Sequence, residues 1–454
     1  MSQTKVLEGE PLVKALGLKE IWAIGVGSVV GDGIFLLMGE GGKLAGPFAI
    51  VAYTAAGVLL LCMMVAMGEL AVGMPNAGAM WVWNRRCLGD LAGFISGISY
   101  AAGWVIAGGS TGIAIGTVSN AFYQIGSRTE VSIVIWSLFW VTVFAVVNYR
   151  GVILASKVQL YLVLALVGLM LLFGILGLTS GKFEADNFQP FMPFGVGSFF
   201  PALAFGTYAY MGALTLTTAG SEAKDPRDLP KGLVYASITF LIVYTIAMVA
   251  MFGILPHEEM NVSESPFTAA AILAFGPGAG VVLNIAAWLA AATCLLGGTF
   301  FSAPRLLFSM GESGILPPIF AQLNNKRVPG FATIFCWILS VIMILIGTNN
   351  PDVIYVTLSL LLVFCWVVTW AIGLTAAIKY RSDFKDEVFR LPWKQPLFPF
   401  FPIIGYLGVV VILYGTFRGA ETSLMTGIVF LLIQIAYYYA YGRQNLKKTM
   451  EAGS

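Results

Sequence analysis

The sequence predicts an all-α polytopic membrane protein of twelve transmembrane helices, ten of them forming two inverted blocks of five. Three observations lead there: the composition, the regular return of apolar runs of spanning length, and two such runs interrupted by glycine. Of 454 residues, 58% are hydrophobic and only 11% charged, with a mean hydropathy of +0.86. A soluble chain of that length could not bury so much apolar surface. The same composition sets several function classes aside. With a net charge of +2 and no basic patch, nucleic acid is not an expected partner; membrane lipid is. Cys62, Cys87, Cys294, Cys336 and Cys365 show no CxxC spacing and lie mostly in apolar runs. They read as packing residues, with no metal or disulfide framework. The one histidine, His257, falls in a polar loop, so an enzyme has little catalytic material and no cofactor is expected. The opening residues MSQTKVLEGEPLVKALGLKE lack the apolar core and cleavage site of a signal peptide and read as a polar lead-in that stays on the protein.

Apolar runs of about 20 residues are long enough to cross a bilayer. They fall near 20–45, 47–73, 90–120, 131–149, 156–180, 197–221, 231–255, 278–310, 331–348, 353–380, 400–418 and 422–441. The third exceeds the required length, which predicts tilt. Most lysines and arginines fall in alternate loops, while the opposite loops hold only Lys43, Arg128, Lys182 and Arg418. By the positive-inside rule both termini, 1–19 and 443–454, are cytoplasmic, as an even number of spans requires. The expected place is the cell's inner (plasma) membrane. A sequon at Asn261 falls in a predicted outside loop but is a common chance motif.

Two runs differ from the rest. The first is interrupted by GVGSVVGDG, Gly25 to Gly33, and the sixth carries FGTYAYMGALT, Phe205 to Thr215. Counting five spans from each gives blocks 20–180 and 197–380, followed by the last two spans in 381–442. Five is odd, so the second block runs through the membrane inverted. Interrupted helices at matching positions of inverted halves point to a transport site at the bilayer midplane. The bland reading is that glycine only lets helices pack closely.

Five motifs, in order along nearly the whole chain, resemble those of the amino acid–polyamine–organocation permeases. They are GSVVGDGIF in the first span, GELAVGMPNAGA from Gly68 in the second, and NYRGVILASKVQ from Asn148 entering the fifth. SEAKDPRDLPKGL from Ser221 follows the sixth, and SAPRLLFSMGESGILPPIFAQLNNKRVPGFA ends the eighth and enters the ninth. The resemblance implies an inverted five-plus-five fold with discontinuous first and sixth helices, of the LeuT type, with two extra C-terminal spans. It also implies secondary active transport of small nitrogenous solutes. In such a family the substrate's carboxylate lies on first-span N–H groups and its ammonium on carbonyls of spans one and six. Free backbone groups at broken helix ends supply that chemistry. On this reading Ser28, Val29, Gly31, Asp32 and Gly33 bind substrate.

Asp32 departs from the family, which usually has Ser, Thr or Ala there. It is placed to cap the second half-helix. It is a cap beside the substrate, a counter-charge for an amine, or a proton carrier. Because a carboxylate at mid-membrane is costly and rare, a role in binding or coupling is expected. Lys157, inside the fifth span, is the second intramembrane charge. The resemblance implies that it stands where sodium-coupled relatives hold their ion, so that the proton serves as coupling ion; a lysine reaching to the interface is the alternative. In the sixth span, YAYMGAL resembles a family motif in which Tyr208 is the aromatic gate. Ala209 and Met211 then line the pocket, and Leu214 replaces an acidic residue often found there. Trp104 and Thr299 match further pocket or gate positions. Glu69 and Glu222, near span ends, read as intracellular-gate or structural residues facing water or pairing with loop Arg and Lys. The expected function is transport of an amino acid or related amine, by proton-coupled uptake. The alternatives are an exchanger, and a polyamine, organic-cation or metal-ion transporter of the same fold.

Overall fold

A computed structural model describes residues 12–260, 265–347, 351–419 and 421–446; the side chains of Asp32, Leu36, Ala213, 351–356, 418–419 and 421–423 lie outside the description, as does the sequon at Asn261. The described chain is helical, with no strand beyond two isolated bridges, Leu16–Ala223 and Leu323–Pro329. In order the helices are α1 (Leu18–Val29), α2 (Asp32–Ala45), α3 (Ala49–Gly73), α4 (Met80–Leu88), α5 (Asp90–Phe122), α6 (Thr129–Tyr149) and α7 (Val152–Leu178). There follow α8 (Phe199–Tyr210), α9 (Asp228–Ile254), α10 (Pro266–Phe275), α11 (Pro277–Cys294), α12 (Ser302–Glu312), α13 (Gly330–Ile346), α14 (Pro351–Asp383), α15 (Lys385–Arg390), α16 (Phe400–Gly419) and α17 (Glu421–Tyr437).

Ten helical stretches among the described residues are long and apolar enough to cross a membrane. The first predicted span escapes that measure because it is two pieces of 12 and 14 residues, and α13 because it has 17. Three short helices were not foreseen. Of these, α4 carries Arg85 and Arg86 in its last turn, and α10 is too short to span.

Both predicted interruptions are real. α1 stops where Val30 leaves helical geometry (ψ 74°) and Gly31 extends (φ −107°, ψ −164°), and α2 restarts at Asp32. α8 stops at Tyr210, Met211 is extended, and a 3-10 turn covers Ala213–Ala219. Gly212 between them has φ +116°, and a β-carbon there would collide with the carbonyl oxygen of Ser28. Only glycine meets both demands, so the two interruptions cross in contact. A third irregularity is the π-helical turn Leu295–Thr299 joining α11 to α12. Asn148, from the fifth-span motif, donates to its Leu296 carbonyl at 3.0 Å.

The broken helices form the centre. α1 packs on α7, α9 and α11, and α8 packs on α2, α3 and α16. Every α1 residue from Ala23 to Val29 is buried, as a helix apolar on all sides requires. α6, α16 and α17 lie at the periphery, where Phe139, Ile403, Val410 and Leu432 face outward. That inverted outer surface is what lipid favours. Before α1, the backbone of the lead-in binds the far end of the second broken helix. Ala15 and Leu16 N–H groups donate to Glu222 O (both 3.0 Å), and Lys224 N–H to Leu16 O (2.9 Å).

Candidate functional site

The two interruptions border a cavity of about 20 Å³, room for roughly one water and for no amino acid. Ser28, Val29, Gly31 and Gly33 line it from the first interruption, and Tyr208 and Met211 from the second. Trp104 and Ala107 of α5, Cys294 of α11, and Leu362 and Trp366 of α14 complete the wall. The sequence expectations for Ser28, Val29, Gly31, Gly33, Trp104, Tyr208 and Met211 thus converge on one space. The lining carries no charged side chain among the described residues. The backbone of Asp32 opens α2 at the same rim; its carboxylate lies outside the described side chains.

Charge complementarity comes from the backbone. The first turn of α2 presents N–H groups that have no partner within the helix, and the α1 and α8 ends present carbonyls. One rim favours an anion and the other a cation. That polarity suits a zwitterion. Close approach is enforced by glycine: a β-carbon on Gly33 would lie 2.5 Å from the Tyr208 ring, and one on Gly31 would press on Cys294 at 3.3 Å.

Two expected residues lie behind the wall. Thr299 is fully buried and donates to the Trp104 carbonyl at 2.9 Å, so it holds Trp104 in place and does not face the cavity. Ala209 is buried too, and its carbonyl accepts from the Tyr244 hydroxyl at 3.0 Å. The same hydroxyl lies 2.9 Å from Val29 O. Tyr244 was not foreseen, because a lone tyrosine in an apolar span reads as packing. Nor were Ala107, Cys294, Leu362 and Trp366. Trp366 meets Trp104 edge to face at 4.7 Å and donates to Tyr100 O at 3.2 Å, an aromatic wall that fixes the α5–α14 side. Tyr208 meets Ser110 of α5, hydroxyl to hydroxyl at 3.4 Å.

Lys157 requires correction. It is exposed on α7, away from the core where the sequence reading set it. Two residues on, Gln159 is 1% exposed and donates to Ala23 O of α1 (3.4 Å) and Thr293 O of α11 (3.1 Å). An offset of two residues turns the side chain about 200° around a helix, so the amide and not the ammonium enters the core.

Of the two acidic gate candidates, neither faces water. Glu222 is 0% exposed and makes a two-pronged ion pair with Arg305 of α12, at 2.5 and 2.8 Å. Arg305 also donates to Phe301 O at 2.7 Å and covers the Phe301 ring. Its partner is therefore an intramembrane arginine from the eighth-span motif, not a loop residue. Glu69 does pair with a residue at a span end: Arg381 at 2.5 Å, with the Gln395 N–H at 2.7 Å. In the linker after Glu222, hydrogen bonds from Arg227 hold the Asp225 carboxyl below its usual range.

This geometry accords with what the chain is similar to. An uncharacterized amino acid permease, YtnA of Bacillus subtilis (strain 168), is 28% identical over 95% of this chain and 96% of its own length. The branched-chain amino acid permease BcaP of the same organism is 24% identical over 96% of this chain and 94% of its own. A D-serine/D-alanine/glycine transporter of Escherichia coli (strain K12) is 26% identical over 86% and 85%. The profile described as amino acid permease matches residues 20–441. The protein is a multi-pass membrane transporter, not an enzyme, and belongs to the amino acid permease family.

Proposed function

We propose that the protein is a secondary active transporter that takes up a neutral amino acid by alternating access, driven by the proton gradient. The observation that carries this reading is the meeting of two helix interruptions at one small cavity, with N–H groups on one rim and carbonyls on the other. Such a cradle offers partners to both ends of an amino acid, and the uncharged described walls suit an uncharged side chain. Similarity to transporters named for D-serine, D-alanine, glycine and branched-chain amino acids supports the same class.

Counting α1 with α2 as one broken span and adding α13 brings the ten apolar stretches to twelve. The short helices α4 and α10 then take equivalent places, each between the second and third spans of its block, as a five-plus-five inverted repeat requires. Charge alternation in the loops supports cytoplasmic termini in the cell's inner membrane. With Lys157 on the outer face of α7, proton coupling rests on Asp32, at the start of α2. The test is uptake by purified protein in proteoliposomes across a panel of amino acids, polyamines and divalent cations, with and without an inward proton gradient. Small neutral amino acids compete with one another and accumulate only with the gradient, and Asp32→Asn retains counterflow while losing accumulation. Movement of polyamines or divalent ions instead, or gradient-driven accumulation by Asp32→Asn, overturns this reading.

A further inference from the structure

Tyr244 belongs to α9, outside both broken helices, yet its hydroxyl touches the end of each. It lies 2.9 Å from Val29 O and 3.0 Å from Ala209 O, the carbonyls at the close of α1 and α8. The residue is 0% exposed, and its ring packs on Tyr210 at 4.9 Å between centroids. Val29 lines the cavity and its carbonyl also takes the Gly31 N–H at 2.7 Å. A phenol carries one proton, so the hydroxyl serves only one of the two carbonyls at a time. In a dry site, whichever carbonyl that proton leaves has a spare lone pair for a group that brings donors of its own.

We infer that Tyr244 is a positioning residue that fixes the two carbonyl-bearing helix ends against each other, and thereby makes the site selective for a primary ammonium. The inference rests on the amino acid reading of the cavity. A primary ammonium brings three N–H donors to acceptors held at a set spacing. An N-methylated amine brings two, and turns a methyl group with no donor towards the remaining acceptor. Without the hydroxyl, the two ends lose their common tether, the spacing relaxes, and discrimination between the two amines weakens.

The test is uptake in proteoliposomes by the native protein, Tyr244→Phe and the control Tyr210→Phe, whose hydroxyl has no hydrogen-bond partner among the described residues. The best substrate from the amino acid panel is the labelled probe, and unlabelled substrate and its N-methyl derivative are the competitors. In Tyr244→Phe the KM rises about tenfold with Vmax within about twofold, and the ratio of inhibition constants, N-methyl over parent, falls several-fold. Tyr210→Phe keeps the native ratio. Thermal unfolding in detergent checks that the phenylalanine variant is folded; if it is not, Tyr244→Met is read by the same ratio. A native ratio in the Tyr244 variant, or equal weakening for both competitors, overturns the inference. A native protein that takes up no amino acid is a separate failure, of the transport reading itself.

Discussion

At the scale of single residues, energetics turn on who is left alone after a change. Glu222 and Arg305 are both within 1% of complete burial, so neutralising one strands the other. Glu222→Gln is expected to cost about 3–5 kcal/mol, and Glu222→Gln with Arg305→Met far less than the sum of the singles. Unfolding in detergent measures both. Such a penalty fits a fixed joint between the end of the second broken helix and α12. Gly33 poses the opposite problem, lack of room. Gly33→Ala puts a methyl 2.5 Å from the Tyr208 ring, an overpacking of about 1–3 kcal/mol. Because the strain falls on the cavity wall, it raises KM by about tenfold; a native KM in a transport assay would contradict this. Sequence reading fared well at the glycines, since a close approach leaves a residue type as its trace. It fared poorly at Trp366, Leu362 and Cys294, where an apolar residue in an apolar span offers no contrast between lining a cavity and filling a core.

At the scale of elements, the interruptions of helices one and six were legible and the face of α7 was not. Glycine clusters mark where a helix yields, so Gly31 and Gly212 fall within the expected stretches. A lone charge inside a hydrophobic run drew attention to Lys157, yet a helix rotates its neighbours away from one another, and Gln159 holds the inward position. The two side chains make a direct comparison. Gln159→Leu removes the amide that joins α1 to α11 and is expected to cost about 1–3 kcal/mol; Lys157→Leu stays within about 0.5 kcal/mol. In the uptake assay Lys157→Leu keeps gradient-driven accumulation, and a loss there would restore the lysine as the coupling group. The irregular turn Leu295–Thr299 was not foreseen, although π-type turns cluster at working sites and the paired glycines Gly297 and Gly298 pointed to unusual backbone.

At the scale of the whole molecule, a cavity with room for one water has no room for an amino acid. Transport then requires the wall to part, and Cys294 is placed to report it. All five cysteines are buried and in no disulfide, and Cys294 alone among them lines the cavity. In a variant retaining only Cys294, a small thiol reagent is expected to react slowly, and saturating substrate to slow it further by at least about threefold. Reaction at the same rate with and without substrate would place the cysteine outside the transport route. The lead-in segment adds a constraint of another kind. Its hydrogen bonds to Glu222 and Lys224 yoke the root of helix one to the foot of helix six, so neither can swing alone. A covalent bolt at this yoke, cysteines at Leu16 and Ala223, ought therefore to leave the machine running, whereas the same bolt placed across the cavity would jam it.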